Sequence, residues 1–97
     1  MKHRLRLRSD VEEEIGAAAK WYESESNGLG NRFLDEVKNS LNRISESPLM
    51  YQLIRKYTRR AKLRHFPYVL FFLVNVDEIV ITGLRHTSRH TRTWPTE

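Results

Sequence analysis

The sequence predicts an α+β domain in which a helix hairpin packs on a small, antiparallel-rich sheet, with the elements in the order β-α-α-β-β-β. Three observations support this prediction. Residues 4–8 alternate between arginine and leucine, two amphipathic segments joined by a glycine-containing turn follow, and three β-like segments occupy much of the second half. The chain has 97 residues, so we expect a single domain that spans residues 1–97.

The first strand and the first helix are predicted from the N-terminal quarter of the chain. The period of two in residues 4–8 places the leucines on one face and the arginines on the other, as in a half-buried strand. Ser9 and Glu12 have the spacing of a capping box, so we expect a helix to begin there. Two glycines, Gly28 and Gly30, should end it. Its apolar face consists of Val11, Ile15, Ala18 and Tyr22.

A second helix and three strands are predicted from the rest of the chain. The helix should end just before Pro48, and the short turn that precedes it predicts an antiparallel helix hairpin. Residues 60–64 alternate as in a strand, residues 68–74 are apolar on both faces as in a central strand, and residues 79–84 are rich in β-branched side chains. The apolar stripe of the second helix consists of Phe33, Leu34, Val37, Leu41 and Ile44.

The composition excludes several classes of function, and the positive charge is concentrated in the second half. The chain has no cysteine, which excludes disulfide scaffolds, cysteine-based zinc sites and thiol catalysis and fits a cytoplasmic location. Residues 1–48 carry 8 basic and 9 acidic side chains, whereas residues 49–97 carry 9 basic and 3 acidic ones. We therefore expect one cationic face, suited to an acidic protein surface or to nucleic acid, and no membrane segment.

Two groups of cations are candidate binding or catalytic residues. Arg60, Lys62 and Arg64 would share one face of a strand, where they could contact phosphates or the carboxylates of a partner protein. A solvated outer face of the sheet explains the same alternation. The second group follows the last predicted strand and consists of Arg85, His86, Arg89, His90 and Arg92.

Together the two groups could cleave RNA without a metal, because histidine transfers protons near neutral pH and arginine stabilises an oxyanion. A solubilising tail is the alternative interpretation of the second group. His86 and His90 have the spacing of helical metal ligands but no carboxylate nearby, so we expect no metal and no cofactor.

Several short motifs stand out in the sequence: Trp21-Tyr22-Glu23, Gly28-Leu29-Gly30 with Arg32-Phe33, Arg60 and Phe66-Pro67-Tyr68. Together they resemble the RelE/ParE superfamily of bacterial toxins from type II toxin–antitoxin systems. The similarity extends from about Leu5 to Trp94. It implies the β-α-α-β-β-β fold, a cytoplasmic protein that arrests growth, and a hetero-oligomer with a cognate antitoxin whose flexible segment contacts the helix hairpin and the sheet.

The superfamily has two functional branches, and the resemblance is closer to the ParE-like branch because of the long helix hairpin and the Phe-Pro-Tyr sequence. Members of that branch bind and poison DNA gyrase without a catalytic site. The alternative is a RelE-like mRNA endonuclease that acts on the ribosome. The RelE-like branch typically has a basic residue directly after the strand tyrosine, whereas this sequence has Val69 after Tyr68. That branch often has a tyrosine near the C-terminus, whereas this sequence has Trp94 in that region. A third hypothesis is a harmless interaction or nucleic-acid-binding module.

The resemblance also implies two sets of site residues. The catalytic residues of a RelE-like enzyme would be Arg60, Lys62, Arg64 and Arg89. The residues that contact the target or the partner would be Trp21, Tyr22, Arg32, Arg59, Tyr68, Arg85, His86 and Trp94.

Overall fold

The computed structural model of the protein describes residues 3–88. The order of its elements confirms the predicted α+β class and the β-α-α-β-β-β succession. A short 3₁₀ turn, which the sequence analysis did not predict, lies between the second helix and the second strand. The elements are β1 (Arg4–Leu7), α1 (Ser9–Glu25), α2 (Leu29–Glu46), the 3₁₀ turn (Pro48–Met50), β2 (Thr58–Lys62), β3 (Tyr68–Val74) and β4 (Glu78–His86).

The four strands form one mixed sheet in the order β1-β4-β3-β2. β1 pairs in parallel with β4, whereas β2 pairs with β3 and β3 with β4 in antiparallel fashion. The apolar β3 is therefore a central strand, as its sequence predicts. The register between β3 and β4 shifts beside Phe71 and Phe72, so that β4 has an extra residue and a local bulge.

The main core lies between one face of the sheet and the helix hairpin. The predicted apolar face of α1 is buried at all four positions, and Phe33, Val37 and Ile44 of α2 are buried as well. Leu41 is only half-buried and Leu34 is 41% exposed, so the stripe of α2 is narrower than predicted. Both leucines line an open groove beside α1 and remain in contact with solvent.

The predicted start of the first helix at Ser9 is confirmed, but its capping box and the predicted bounds of β2 are wrong. Ser9 is the first residue of α1, Arg8 occupies the N-cap position, and no side chain in the described part of the chain caps this end, so the capping box does not form. β2 begins two residues earlier than predicted and ends at Lys62. Its start is extended because the preceding segment pairs with it: the Ile54 N–H donates to the Thr58 carbonyl at 2.9 Å.

The turn between the helices is held by Glu23. Its two carboxylate oxygens accept hydrogen bonds from the backbone N–H groups of Gly28, at 2.9 Å, and Gly30, at 3.0 Å. Gly28 has a φ of 85°, which favours glycine, and a Cβ on Gly30 would lie 2.6 Å from the Ala19 carbonyl oxygen. The Trp-Tyr-Glu and Gly-Leu-Gly motifs are therefore two halves of one helix–helix junction.

Candidate functional site

An open cleft of about 750 Å³ lies between α1 and one end of the sheet, where β3 begins and β4 ends. The α1 residues that line it recur at steps of three and four, which places them on one face of the helix. Across the cleft stand residues of the two central strands. The lining consists of Glu14, Ala17, Ala18, Trp21, Tyr22, Tyr68, Leu84, Arg85 and His86. We refer to this surface as the α1–β4 cleft.

The floor of the α1–β4 cleft is aromatic and rests on the core. The buried Tyr22 ring lies 4.9 Å from the Phe66 ring and 5.3 Å from the Phe33 ring. Trp21 meets Tyr22 edge to face and is 58% exposed, so it forms the rim. Burial raises the pKa of Tyr22, which keeps its hydroxyl protonated. The arrangement offers a rigid apolar surface with one exposed ring as an anchor.

The charges of the α1–β4 cleft are paired with each other. Arg85 Nη1 lies 2.8 Å from Glu14 Oε2 and also donates to the Leu84 carbonyl at 2.9 Å. The second carboxylate oxygen, Glu14 Oε1, is buried and accepts no hydrogen bond within residues 3–88. Buried acceptors are nearly always satisfied in proteins, so this oxygen is an exception within the cleft wall.

His86 closes the far side of the cleft with its ring held in place. Its Nδ1 accepts a hydrogen bond from the Ser88 backbone N–H at 3.2 Å, and the Ser88 hydroxyl lies 2.7 Å from the same nitrogen. Because a backbone N–H only donates, the neutral ring carries its proton on Nε2. The ring also meets Tyr68 edge to face at 5.1 Å. Within residues 3–88 no acceptor contacts the Nε2–H group, which leaves it as a donor for a bound partner.

The structure brings together five of the eight predicted contact residues: all five line the α1–β4 cleft. Arg32 lies elsewhere, in a polar groove beside α2. Arg59 donates to the Tyr51 carbonyl at 2.6 Å and fixes the segment before β2. Trp94 and Arg89 lie outside the described residues. The five residues in the cleft are Trp21, Tyr22, Tyr68, Arg85 and His86.

Two of the three cations predicted to share one strand face do so, and the third lies outside the strand. Arg60 and Lys62 lie on β2, and their register partners Phe71 and Val69 place them on the face of the sheet opposite the helices. Arg64 follows the end of β2 and lines the same polar groove as Arg32. The strand ends early because the chain turns at once into β3, with the Leu63 N–H donating to the Tyr68 carbonyl at 2.9 Å.

Glu14 also lines the cleft, although it was not among the predicted site residues. Its position four residues before Ala18 and seven before Trp21 places it on the cleft face, and that spacing could have identified it. Its ion pair with Arg85 could not be predicted, because 71 residues separate the two.

A second, apolar groove of about 360 Å³ runs along the other side of α1, between the two helices. The α1 residues in it lie on the side of the helix away from the α1–β4 cleft. Glu12 and Lys38 flank the groove at its rim. The apolar lining consists of Leu7, Ile15, Leu34, Val37 and Leu41.

Two further findings concern the described part of the chain. Residues 3–88 contain no group of three or more histidine, cysteine or acidic side chains that could hold a metal ion. None of the helices within this range is long and apolar enough to cross a membrane.

Comparisons with known proteins agree with this arrangement. A family profile described as "ParE toxin of type II toxin-antitoxin system, parDE" matches residues 5–91, which identifies the protein as a toxin by class. Because the match extends over most of the sequence, the chain belongs to the ParE toxin family. The predicted superfamily and its ParE-like branch are thereby confirmed.

A solved structure entitled "Chromosomal ParDE TA system from P. aeruginosa" has the same fold. It superposes with a TM-score of 0.73 over 90% of this chain and 98% of the other, at 13% sequence identity. At that identity the similarity shows the fold alone. We found no match among curated proteins.

Proposed function

We propose that the protein arrests bacterial growth by binding and poisoning DNA gyrase, and that a cognate antitoxin neutralises it in the cytoplasm. Membership of the ParE toxin family carries this proposal. The α1–β4 cleft supports a function by binding. It combines an exposed aromatic anchor, Trp21, with an ion pair in which Glu14 and Arg85 neutralise each other's charge.

The two concave surfaces on either side of α1 support a partner that wraps the helix. A flexible antitoxin segment could place an apolar side chain against Trp21 and a hydrogen-bond acceptor at the His86 ring. It could then cross α1 and bury an amphipathic face in the apolar groove. Folding of a disordered segment over both surfaces gains apolar burial on each side of one helix.

The positions of the cations support binding rather than RNA cleavage. Arg60 and Lys62 lie on β2, whereas Arg64 lies in a groove beside α2, so the three do not surround one point. Metal-independent cleavage needs a general acid or base and an oxyanion donor close to one phosphate. We therefore propose that these residues are not a catalytic set.

The proposal is tested by a supercoiling assay with the purified toxin, relaxed plasmid, ATP and gyrase from the same organism. We expect inhibition or trapped, cleaved DNA, and reversal when the antitoxin is added. Absence of any effect at micromolar toxin would contradict the proposal. Ribosome-dependent mRNA cleavage would then become the leading hypothesis, with Lys62→Ala as its first variant.

A further inference from the structure

The segment that leads into β2 exposes apolar side chains among cations. Met50 is 84% exposed, Leu49 is 69% exposed and Leu53 is 48% exposed. Arg55 and Lys56 are also exposed, and residues 47–76 include no aspartate or glutamate. Among the described residues, neither Arg55 nor Lys56 is paired with an acidic side chain. We call these five residues the β2-side patch.

The backbone beneath the β2-side patch is held firmly although its side chains project outward. Pro48 is buried, and the Tyr51 ring packs edge to face on Phe72 at 5.6 Å. The Arg60 N–H donates to the Gln52 carbonyl at 3.1 Å. The backbone of the patch is therefore preformed, and a partner that binds it orders little additional backbone.

The β2-side patch and the α1–β4 cleft lie at opposite ends of the sheet. Tyr68, at the start of β3, is in register with His86, and both line the cleft. The patch runs into Thr58, which is in register with Leu73 near the other end of β3. The seven residues of β3 span roughly 20 Å at about 3.3 Å per residue. A partner can therefore contact one surface without the other.

We infer that the β2-side patch is the surface that docks on the target protein, separate from the surface that binds the antitoxin. The expected occupant is an acidic protein surface with shallow apolar pockets for Leu49 and Met50. Charge complementarity supports this choice, because unopposed cations around apolar anchors attract an acidic face and steer its approach. By contrast, Arg85 in the cleft is already paired. The inference rests on the proposed function, in which the target is gyrase.

The inference is tested with two patch variants of the full-length toxin and one matched control. The variants are Leu49→Ser with Met50→Ser, and Arg55→Glu with Lys56→Glu. The control is Val76→Ser, since Val76 is 98% exposed and precedes an acidic residue, Asp77. Three quantities are measured for each: the toxin concentration for half-inhibition of gyrase supercoiling, the affinity for the antitoxin, and the melting temperature.

We expect each patch variant to raise the half-inhibitory concentration at least about tenfold, as loss of an interface anchor does. Antitoxin affinity and melting temperature should stay close to those of the wild type. The Val76→Ser control should inhibit like the wild type. Because the substituted side chains project into solvent, these variants should remain folded.

Any other outcome overturns the inference, and the property that changes in the variants identifies the reason. If the wild type inhibits gyrase and the patch variants inhibit equally well, the patch is not the target surface, and the proposed function stands. If the wild type does not inhibit, the proposed function and the inference both fail. Loss of antitoxin affinity would assign the patch to the antitoxin, and loss of toxin self-association in sedimentation would assign it to a second copy.

Discussion

The α1–β4 cleft and the β2-side patch differ in shape and in the arrangement of charge. The cleft is concave, rests on buried aromatic rings, and pairs Arg85 with Glu14. The patch is a loop surface in which Leu49 and Met50 project beside cations that no acidic side chain of residues 3–88 pairs. A surface with paired charges exerts little long-range attraction and binds a partner through complementary shape. Unpaired cations, by contrast, attract an acidic partner surface over a longer distance. The two regions are therefore suited to different partners.

The largest difference in stability between variants of the two regions should come from the core beneath the cleft. Phe33 is fully buried and packs on Tyr22, Phe66 and Tyr68. We expect Phe33→Ala to lower the free energy of unfolding by about 3–5 kcal/mol, because it leaves a cavity. The exposed Leu49→Ala should change it by less than about 0.5 kcal/mol. Urea unfolding measures both, and similar values for the two variants would contradict the account.

The helix junction beside the cleft should give the next largest effect. We expect Gly30→Ala to cost about 1–3 kcal/mol, because its Cβ would lie 2.6 Å from the Ala19 carbonyl and the helices would have to separate. Gly16 is the matched control: in the described part of the chain nothing lies within 4 Å of a Cβ there. Gly16→Ala should stabilise the protein by about 0.5–1 kcal/mol. Equal melting temperatures for the two variants would rule out the close contact.

A smaller, pH-dependent effect should come from the contact between Glu36, on α2, and His65, in the turn between β2 and β3. Partial burial raises the pKa of Glu36, but hydrogen bonds from the backbone N–H and the ring of His65, at 2.7 and 2.8 Å, outweigh it and hold the pKa below its ordinary value. When the pKa of a carboxyl group is lower in the folded state, its ionised form stabilises the protein. This stabilisation is fully present above the ordinary pKa, and it is lost as the pH falls through the folded-state pKa.

Comparison with Glu36→Gln tests this contribution. The wild type should melt at a higher temperature than the variant near pH 7, and the difference should shrink as the pH is lowered toward about 3. Melting curves across that range provide the measurement. A difference that does not change with pH would show that Glu36 does not stabilise the turn through its charge.

The smallest effect on stability should come from the ion pair in the cleft. Glu14 and Arg85 retain 39% and 30% exposure of their side chains, so we expect Glu14→Gln to cost less than about 1 kcal/mol. Antitoxin affinity should nevertheless fall, because the variant weakens the ion pair that positions Arg85 at the proposed binding surface. Glu13→Gln, an exposed neighbour, is the control for both quantities. Unchanged antitoxin affinity in Glu14→Gln would remove this residue from the proposed interface.

The local sequence pattern predicted most of the fold but not the assembly of the site. The spacing of apolar residues located both helices, because each helix buries one face. The continuous apolar run located the central strand, which is apolar on both faces. The capping box at Ser9 was wrong, since α1 already includes that residue. The predicted start of β2 was wrong because residues 52–54 pair with residues 58–60 and extend the strand toward the N-terminus. The contact of Arg85 with Glu14 joins distant segments and has no local signal.

The most direct test of the separation between the two regions is the affinity of the cognate antitoxin for Trp21→Ala and Met50→Ser, measured by calorimetry. Both side chains are largely exposed, so neither variant should unfold. The account predicts at least about tenfold weaker binding for Trp21→Ala and an unchanged affinity for Met50→Ser. Equal weakening in both variants, or weakening in Met50→Ser alone, would contradict it.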